Sequence, residues 1–146
     1  MADNLPELTV NPEKAFYILM KAREFEVKTE SVGLENGSNP TDDKDVAVLE
    51  DNPDDAVEEE LKSALEGLNE DEQFDLITLT WIGRGDFTID EWAKAQRQAR
   101  DLSDKHIPLY LMQTPLFSDY LEEGLALAGH DLDEYERKHF GGSPPA

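Results

Sequence analysis

The chain contains no cysteine. That excludes disulfides, thiolate nucleophiles, zinc–thiolate sites and iron–sulfur ligation. No stretch approaches the roughly 20 consecutive apolar residues that a membrane-spanning helix needs. Positive charge is scarce as well: 13 Lys and Arg face 34 Asp and Glu across 146 residues, a formal net charge of −21. A charge of that size repels phosphate backbones and argues against direct nucleic-acid binding. Met1 to Pro12 shows no basic region followed by an apolar run, so no secretory leader is expected. These absences predict an acidic, soluble, cytoplasmic chain of a length suited to one domain.

What is present is unevenly spread. Residues 30 to 60 hold twelve acids and one base, Lys44, while residues 1 to 29 hold five acids and four bases. A block of like charge repels itself and extends, so residues 29–52 are expected to form a long acidic loop carrying one short helix. Within this region Asn39-Pro40-Thr41-Asp42-Asp43 recurs as Asn52-Pro53-Asp54-Asp55. Each copy has an Asn suited to capping, a Pro suited to the first helical position and carboxylates in the first turn. A short helix over Thr41 to Leu49 and a longer one from Pro53 to about Gly67 follow. Thr29 to Ser38, with two glycines and no apolar period, is expected as a mobile loop. Asp42, Asp43, Asp45, Asp54 and Asp55 form a candidate acidic docking surface.

Elsewhere the apolar spacing is helical. Asn11 and Pro12 start a helix with two apolar stripes: Ala15, Ile18, Leu19, Ala22 and Phe25 on one, and Phe16, Met20 and Val27 on the other. Two stripes predict a central core helix. Asn69 and Glu72 make a capping-box pair before a helix that runs through Trp81 and is expected to stop at Gly83. Thr88 and Glu91 repeat the pattern, with Phe87 and Trp92 placed for a hydrophobic staple. The five residues between predict an antiparallel hairpin. Trp92, Ala95, Ala99 and Leu102 form a narrow seam opposite the basic Lys94, Arg97 and Arg100. Ile107 to Met112 is interrupted by Pro108, and a further helix is expected with Thr114 as cap and Pro115 first. Gly124 inside that helix costs about 1 kcal/mol relative to alanine and predicts a close helix contact. His130 to Phe140 forms a last short helix. No segment alternates with period two.

No catalytic constellation emerges. Arg84-Gly85-Asp86 is an adhesion tripeptide, but a turn between two helices explains it. Aligning Glu91 as the last ligand of a calcium loop puts Ile82 and Arg84 at ligand positions, which a hard cation rejects. His130 and His139 are nine residues apart, the wrong spacing for a paired metal site on one helix face. No Gly-x-Ser-x-Gly elbow and no phosphate-cradling loop occurs. No metal, cofactor or catalytic residue is therefore assigned.

Phe16 to Lys28, Ser38 to Asp43, Leu68 to Gln73, Trp81 to Asp86, Asp90 to Trp92 and Thr114 to Gly124 resemble, in order and spacing, the proteobacterial domain-of-unknown-function family numbered 3775. The resemblance spans about residues 10–129 and implies a bacterial, single-domain, cytoplasmic setting without a mechanism. The short motifs coincide with caps and turns. Arg84, Asp86 and the Tyr120-Leu121-Glu122-Glu123 face exceed what those need.

The resulting expectation is an all-α single-domain bundle of five to six helices. Residues 1–10 form a flexible N-terminus, 11–140 the helical domain and 141–146 a disordered tail. The leading functional expectation is a non-enzymatic acidic binding or adaptor module that docks on a basic protein partner. The alternatives are a nucleic-acid mimic, or a small-molecule or metal-dependent enzyme with its site at the Arg84-Gly85-Asp86 turn. Candidate binding residues are Trp81, Arg84, Asp86, Trp92, Tyr120, Glu122 and Glu123. The oligomeric state and the identity of the partner are open.

Overall fold

The computed structural model describes residues 5–38, 53–102 and 106–139, with side chains described for 5–29, 56–102 and 106–138. Among them are seven α-helices and one 3₁₀ turn, and no strand. The helices are α1 (Pro12–Ser38), α2 (Pro53–Glu66), α3 (Glu70–Arg84), α4 (Trp92–Arg100, after the 3₁₀ turn Ile89–Glu91), α5 (Ile107–Met112), α6 (Phe117–Leu127) and α7 (Leu132–His139). The all-α class holds. The described helices outnumber the five to six expected.

Several starts follow local chemistry. The Glu13 N–H donates to Asn11 Oδ1 at 2.9 Å, so Asn11 caps α1 with Pro12 in first position. At α3 the Glu72 N–H donates to Asn69 Oδ1 (2.8 Å) and the Asn69 N–H to Glu72 Oε1 (2.9 Å), a complete capping box. At α4 the Thr88 N–H donates to Glu91 Oε1 at 2.9 Å.

Other expectations are corrected. Thr29 to Ser38 is not a loop but the last third of α1. Gly33 and Gly37 each cost about 1 kcal/mol in a helix, yet neither removes a backbone donor, and no proline intervenes before Pro40. The short helix expected over Thr41 to Leu49 lies outside the described residues. Gly83 does not end α3; Gly85 does, in the left-handed conformation at φ +98°. Pro108 does not break Ile107 to Met112, because it sits in the first turn, where its missing N–H has no partner to lose. Thr114 does not cap α6. Its hydroxyl donates back to the Tyr110 carbonyl at 2.8 Å, and α6 starts later, after Leu116.

The central helix is α3 rather than α1. Phe74 to Thr80 are buried without interruption, Thr78 and Thr80 included. The two threonines donate to the carbonyls of Phe74 (2.8 Å) and Leu76 (2.7 Å), so neither hydroxyl is left unpaired in the core. Around α3, the α6 helix makes the most extensive contact, with α4 and α5 also against it. Helix α1 lies on α2 and α6. On α1, Ala15, Ile18, Leu19 and Ala22 of the first stripe and Phe16 of the second are buried, Phe25 and Met20 are half-buried, and Val27 is 61% exposed. On α2, Val57, Leu61 and Leu65 are buried, as is Leu68 just after it, and Glu58, Glu59 and Glu60 are exposed, as the spacing requires.

The segment before α1 is fixed where it is described. Val10 is fully buried, and the N–H groups of Thr9 and Val10 both donate to Asp75. Thr9 and Val10, within the stretch expected to be flexible, are thus joined to α3.

Candidate functional site

The α3–α4 turn gathers part of the expected site. The Gly85 N–H donates to the carbonyls of Trp81 (3.0 Å) and Ile82 (3.1 Å), and the Asp86 N–H to Trp81 (3.0 Å). This closure of the helix end throws Arg84 and Asp86 together. Arg84 Nη2 and Nε donate to Asp86 Oδ2 at 2.6 and 2.9 Å. The hydrogen bond to Asp86 raises the Arg84 pKa above its already high ordinary value, against an opposing effect of partial burial. Trp81 is half-buried; its indole N–H donates to the Tyr110 hydroxyl at 3.0 Å and its ring lies 5.9 Å from that of Phe87. Tyr110 and Phe87 therefore join the cluster, and nothing in their local sequence marked them for it.

The remaining expected residues are placed elsewhere or serve other ends. Trp92 opens α4, half-buried against the core. Tyr120 presents its backbone carbonyl to Gly83. Glu122 turns to α1 and accepts from Arg23 at 2.9 Å; Glu123 is exposed. Asp54 and Asp55 belong to the first turn of α2 with side chains outside the described set, and Asp42, Asp43 and Asp45 lie outside the described residues altogether.

Sequence reasoning missed Asp75. Only 3% of its surface is exposed. Its carboxylate accepts from the Thr9 N–H (2.5 Å), the Val10 N–H (3.0 Å) and Gln96 Nε2 (2.8 Å). Burial raises its pKa above the ordinary carboxyl value, and these three donors oppose that rise. Gln96 also donates to Thr78 Oγ1 at 3.1 Å. With its carboxylate accepting from three donors and almost wholly buried, Asp75 ties the N-terminal segment and α4 to α3. It is poorly placed as a general base. The one signal available was a carboxylate inside an apolar run.

A second carboxylate acts at long range. Glu26 on α1 accepts from the Ser118 N–H (2.9 Å) and the Ser118 hydroxyl (2.7 Å), capping α6 from outside its own sequence. Beside it Arg23 bridges Asp119 (3.0 Å) and Glu122 (2.9 Å). Between this part of α1 and the α5–α6 turn runs an open, mainly apolar groove of about 1110 Å³, lined by Phe25, Val27, Met112 and Leu116 among others. Leu116 alone among the described non-glycine residues has a positive φ, +61°.

Among the described residues no three His, Asp or Glu side chains are grouped to hold a metal ion. No described helix is long and apolar enough to cross a membrane. The site is thus one of surface ion pairs, internal carboxylate anchors and a groove on a helical bundle. The family described as "Protein of unknown function (DUF3775)" matches residues 58–130, half of the chain, and the chain belongs to that family. No curated protein and no solved structure matches it. The matched span runs from α2 through α6 and includes Asp75, the Arg84–Asp86 turn and Leu116. Helix α1, which supplies Arg23, Glu26 and Val27, lies before it.

Proposed function

We propose that the protein is a non-enzymatic helical binding module whose acidic surface docks on a basic protein partner. The observation that carries this reading is how the few cations are used. Lys14, Lys21, Arg23, Arg84, Arg100 and Lys138 each lie within ion-pair distance of a carboxylate of the same chain, at 3.8, 2.6, 2.9, 2.6, 3.3 and 3.6 Å. Glu58 and Glu59, by contrast, are exposed on α2 and have no ion-pair partner among the described residues. Lys62, Lys94, Arg97 and Arg137 likewise have no ion pair among the described residues, but at a net charge of −21 the surface a partner meets is predominantly negative. Arg84 and Asp86 are engaged with one another through Nε, Nη2 and Oδ2, which weakens the case for a catalytic turn. A cytoplasmic setting in a proteobacterium belongs to the same proposal.

The test is affinity capture with the full chain at about 0.05 and 0.5 M salt, beside the double variant Glu58→Lys/Glu59→Lys. Because exposed charges are screened over about 8 Å at physiological ionic strength, a partner held by this surface is lost at high salt and by the charge reversal. Capture of the same protein under all four conditions overturns the reading. Capture confined to nucleic-acid-binding proteins that nucleic acid competes away supports a mimic instead.

A further inference from the structure

We propose that the groove between the second half of α1 and the α5–α6 turn seats a basic amphipathic peptide segment of the partner. The inference rests on the acidic-module reading and specifies where, and by what chemistry, docking occurs.

At about 1110 Å³ the groove lies just above the roughly 300–1000 Å³ typical of small-molecule sites and is open to the surface, so one side of a peptide can enter it. Its floor is apolar. Val27 is 61% and Leu116 48% exposed, with Phe25 and Met112 half-buried between the same walls. A single exposed Val or Leu on a surface means nothing, but four apolar side chains converging in one concavity are what a partner desolvates. Leu116 is held there against its backbone preference. The Thr114 hydroxyl bound to the Tyr110 carbonyl fixes the chain on one side, and Ser118 bound to Glu26 fixes it on the other.

Charge selects the occupant. The one guanidinium in the groove, Arg23, is already shared between Asp119 and Glu122, and Glu26 lines the same walls. The rim is therefore net negative. A second copy would bring another −21 to it, and an acidic peptide would meet Glu26 and Asp119 with Arg23, the one cation of the lining, already engaged. A segment with Leu or Phe on one face and Lys or Arg on the other satisfies both floor and rim.

The test uses a fluorescein-labelled 18-residue Lys/Leu peptide of helical amphipathic order, and an isomer of identical composition with that order scrambled. Each is titrated with the full chain at low salt. The amphipathic peptide is expected to bind at least tenfold tighter than its isomer. Leu116→Gly and Val27→Ser should each remove most of that preference while leaving binding of the scrambled peptide and the melting temperature within a few degrees of the parent. Val27→Ser, at a largely exposed helical position, keeps the test sound if Leu116→Gly folds poorly. Equal affinity for the two peptides, with both weakened by Glu58→Lys/Glu59→Lys, overturns the groove and leaves the acidic module standing. No binding of either peptide overturns both. Concentration-dependent doubling of mass that Leu116→Gly abolishes overturns the peptide in favour of a second copy.

Discussion

Gly83 on α3 and Gly124 on α6 interlock without room for a side chain on either. A Cβ on Gly83 would fall 1.8 Å from the Tyr120 carbonyl oxygen and 2.9 Å from the Gly124 nitrogen. A Cβ on Gly124 would fall 2.0 Å from the Leu79 carbonyl oxygen. Both obstacles are backbone, which cannot swing aside as a long side chain can. The two helices thus meet main chain to main chain, the approach that lets α6 lie along the buried face of α3.

Gly83→Ala and Gly124→Ala are each expected to cost more than about 3 kcal/mol, because the helices must separate and open a void in the core. Gly85→Ala is the control. Its Cβ meets nothing within 4 Å, so only the left-handed backbone resists, at about 1–2 kcal/mol. Urea denaturation of the three variants checks the order; Gly85→Ala proving the most damaging would refute this packing.

Removing the Asp75 carboxylate should be costly in a different way. Asp75→Ala leaves the buried Val10 N–H, the Thr9 N–H and Gln96 without their acceptor, for a loss of about 2–4 kcal/mol. Its raised pKa also has a sign. The native state holds the proton to higher pH than the unfolded chain does, so Asp75 contributes stability below the ordinary value of 3.8 that is lost as pH rises through the raised value. Thermal melts between about pH 3.5 and 7 should therefore show Asp75→Asn gaining on the parent as pH rises. A variant that falls further behind the parent as pH rises would reverse the assignment.

Glu26→Ala and Ser118→Ala probe the cap built across the fold. Losing a cap costs typically about 1 kcal/mol. Ser118→Ala keeps the N–H bond to Glu26 and should fall at or below that value, whereas Glu26→Ala loses both bonds and should exceed it. Hydrogen exchange at the Ser118 amide supplies a local readout: protection should drop in Glu26→Ala and persist in Ser118→Ala.

For the turn, Arg84→Ala and Asp86→Ala are expected to destabilise by no more than about 1 kcal/mol, since the pair is solvent-facing at 35% and 42% side-chain exposure. The double variant should cost little more than either single one, because each removes the same interaction. Unchanged stability with loss of partner capture would instead assign these residues to binding.

Much of the fold is written locally. The caps at Asn11 and Asn69, the buried faces of α2 and α4 and the close-packing role of Gly124 all follow from signals spanning a few residues. A capping box closes over three residues and an apolar stripe repeats every three or four, so neither needs to know the rest of the chain. The site was legible only in part. Trp81, Arg84 and Asp86 stood out by type, but Tyr110, which accepts from the Trp81 indole, joins them only when α5 packs beside the end of α3.

What the tertiary structure decided lies at larger separations. Asp75 holds Thr9 and Val10 from 66 and 65 residues away, and Glu26 caps α6 from a distance of 92 residues. Nothing around Ser118 foretells a carboxylate from α1, and Thr114, the cap its own sequence offers, turns back to close α5 instead. Likewise the choice between Gly83 and Gly85 as the end of α3 rests on α6. Gly83 stays helical where the Tyr120 carbonyl crosses it, and the chain turns at Gly85, where a positive φ meets no obstacle. Composition and periodicity determined that this chain is helical and acidic. How far the second apolar stripe of α1 is covered towards Val27, and where a groove is left open, depend on contacts whose partners the chain meets only after folding.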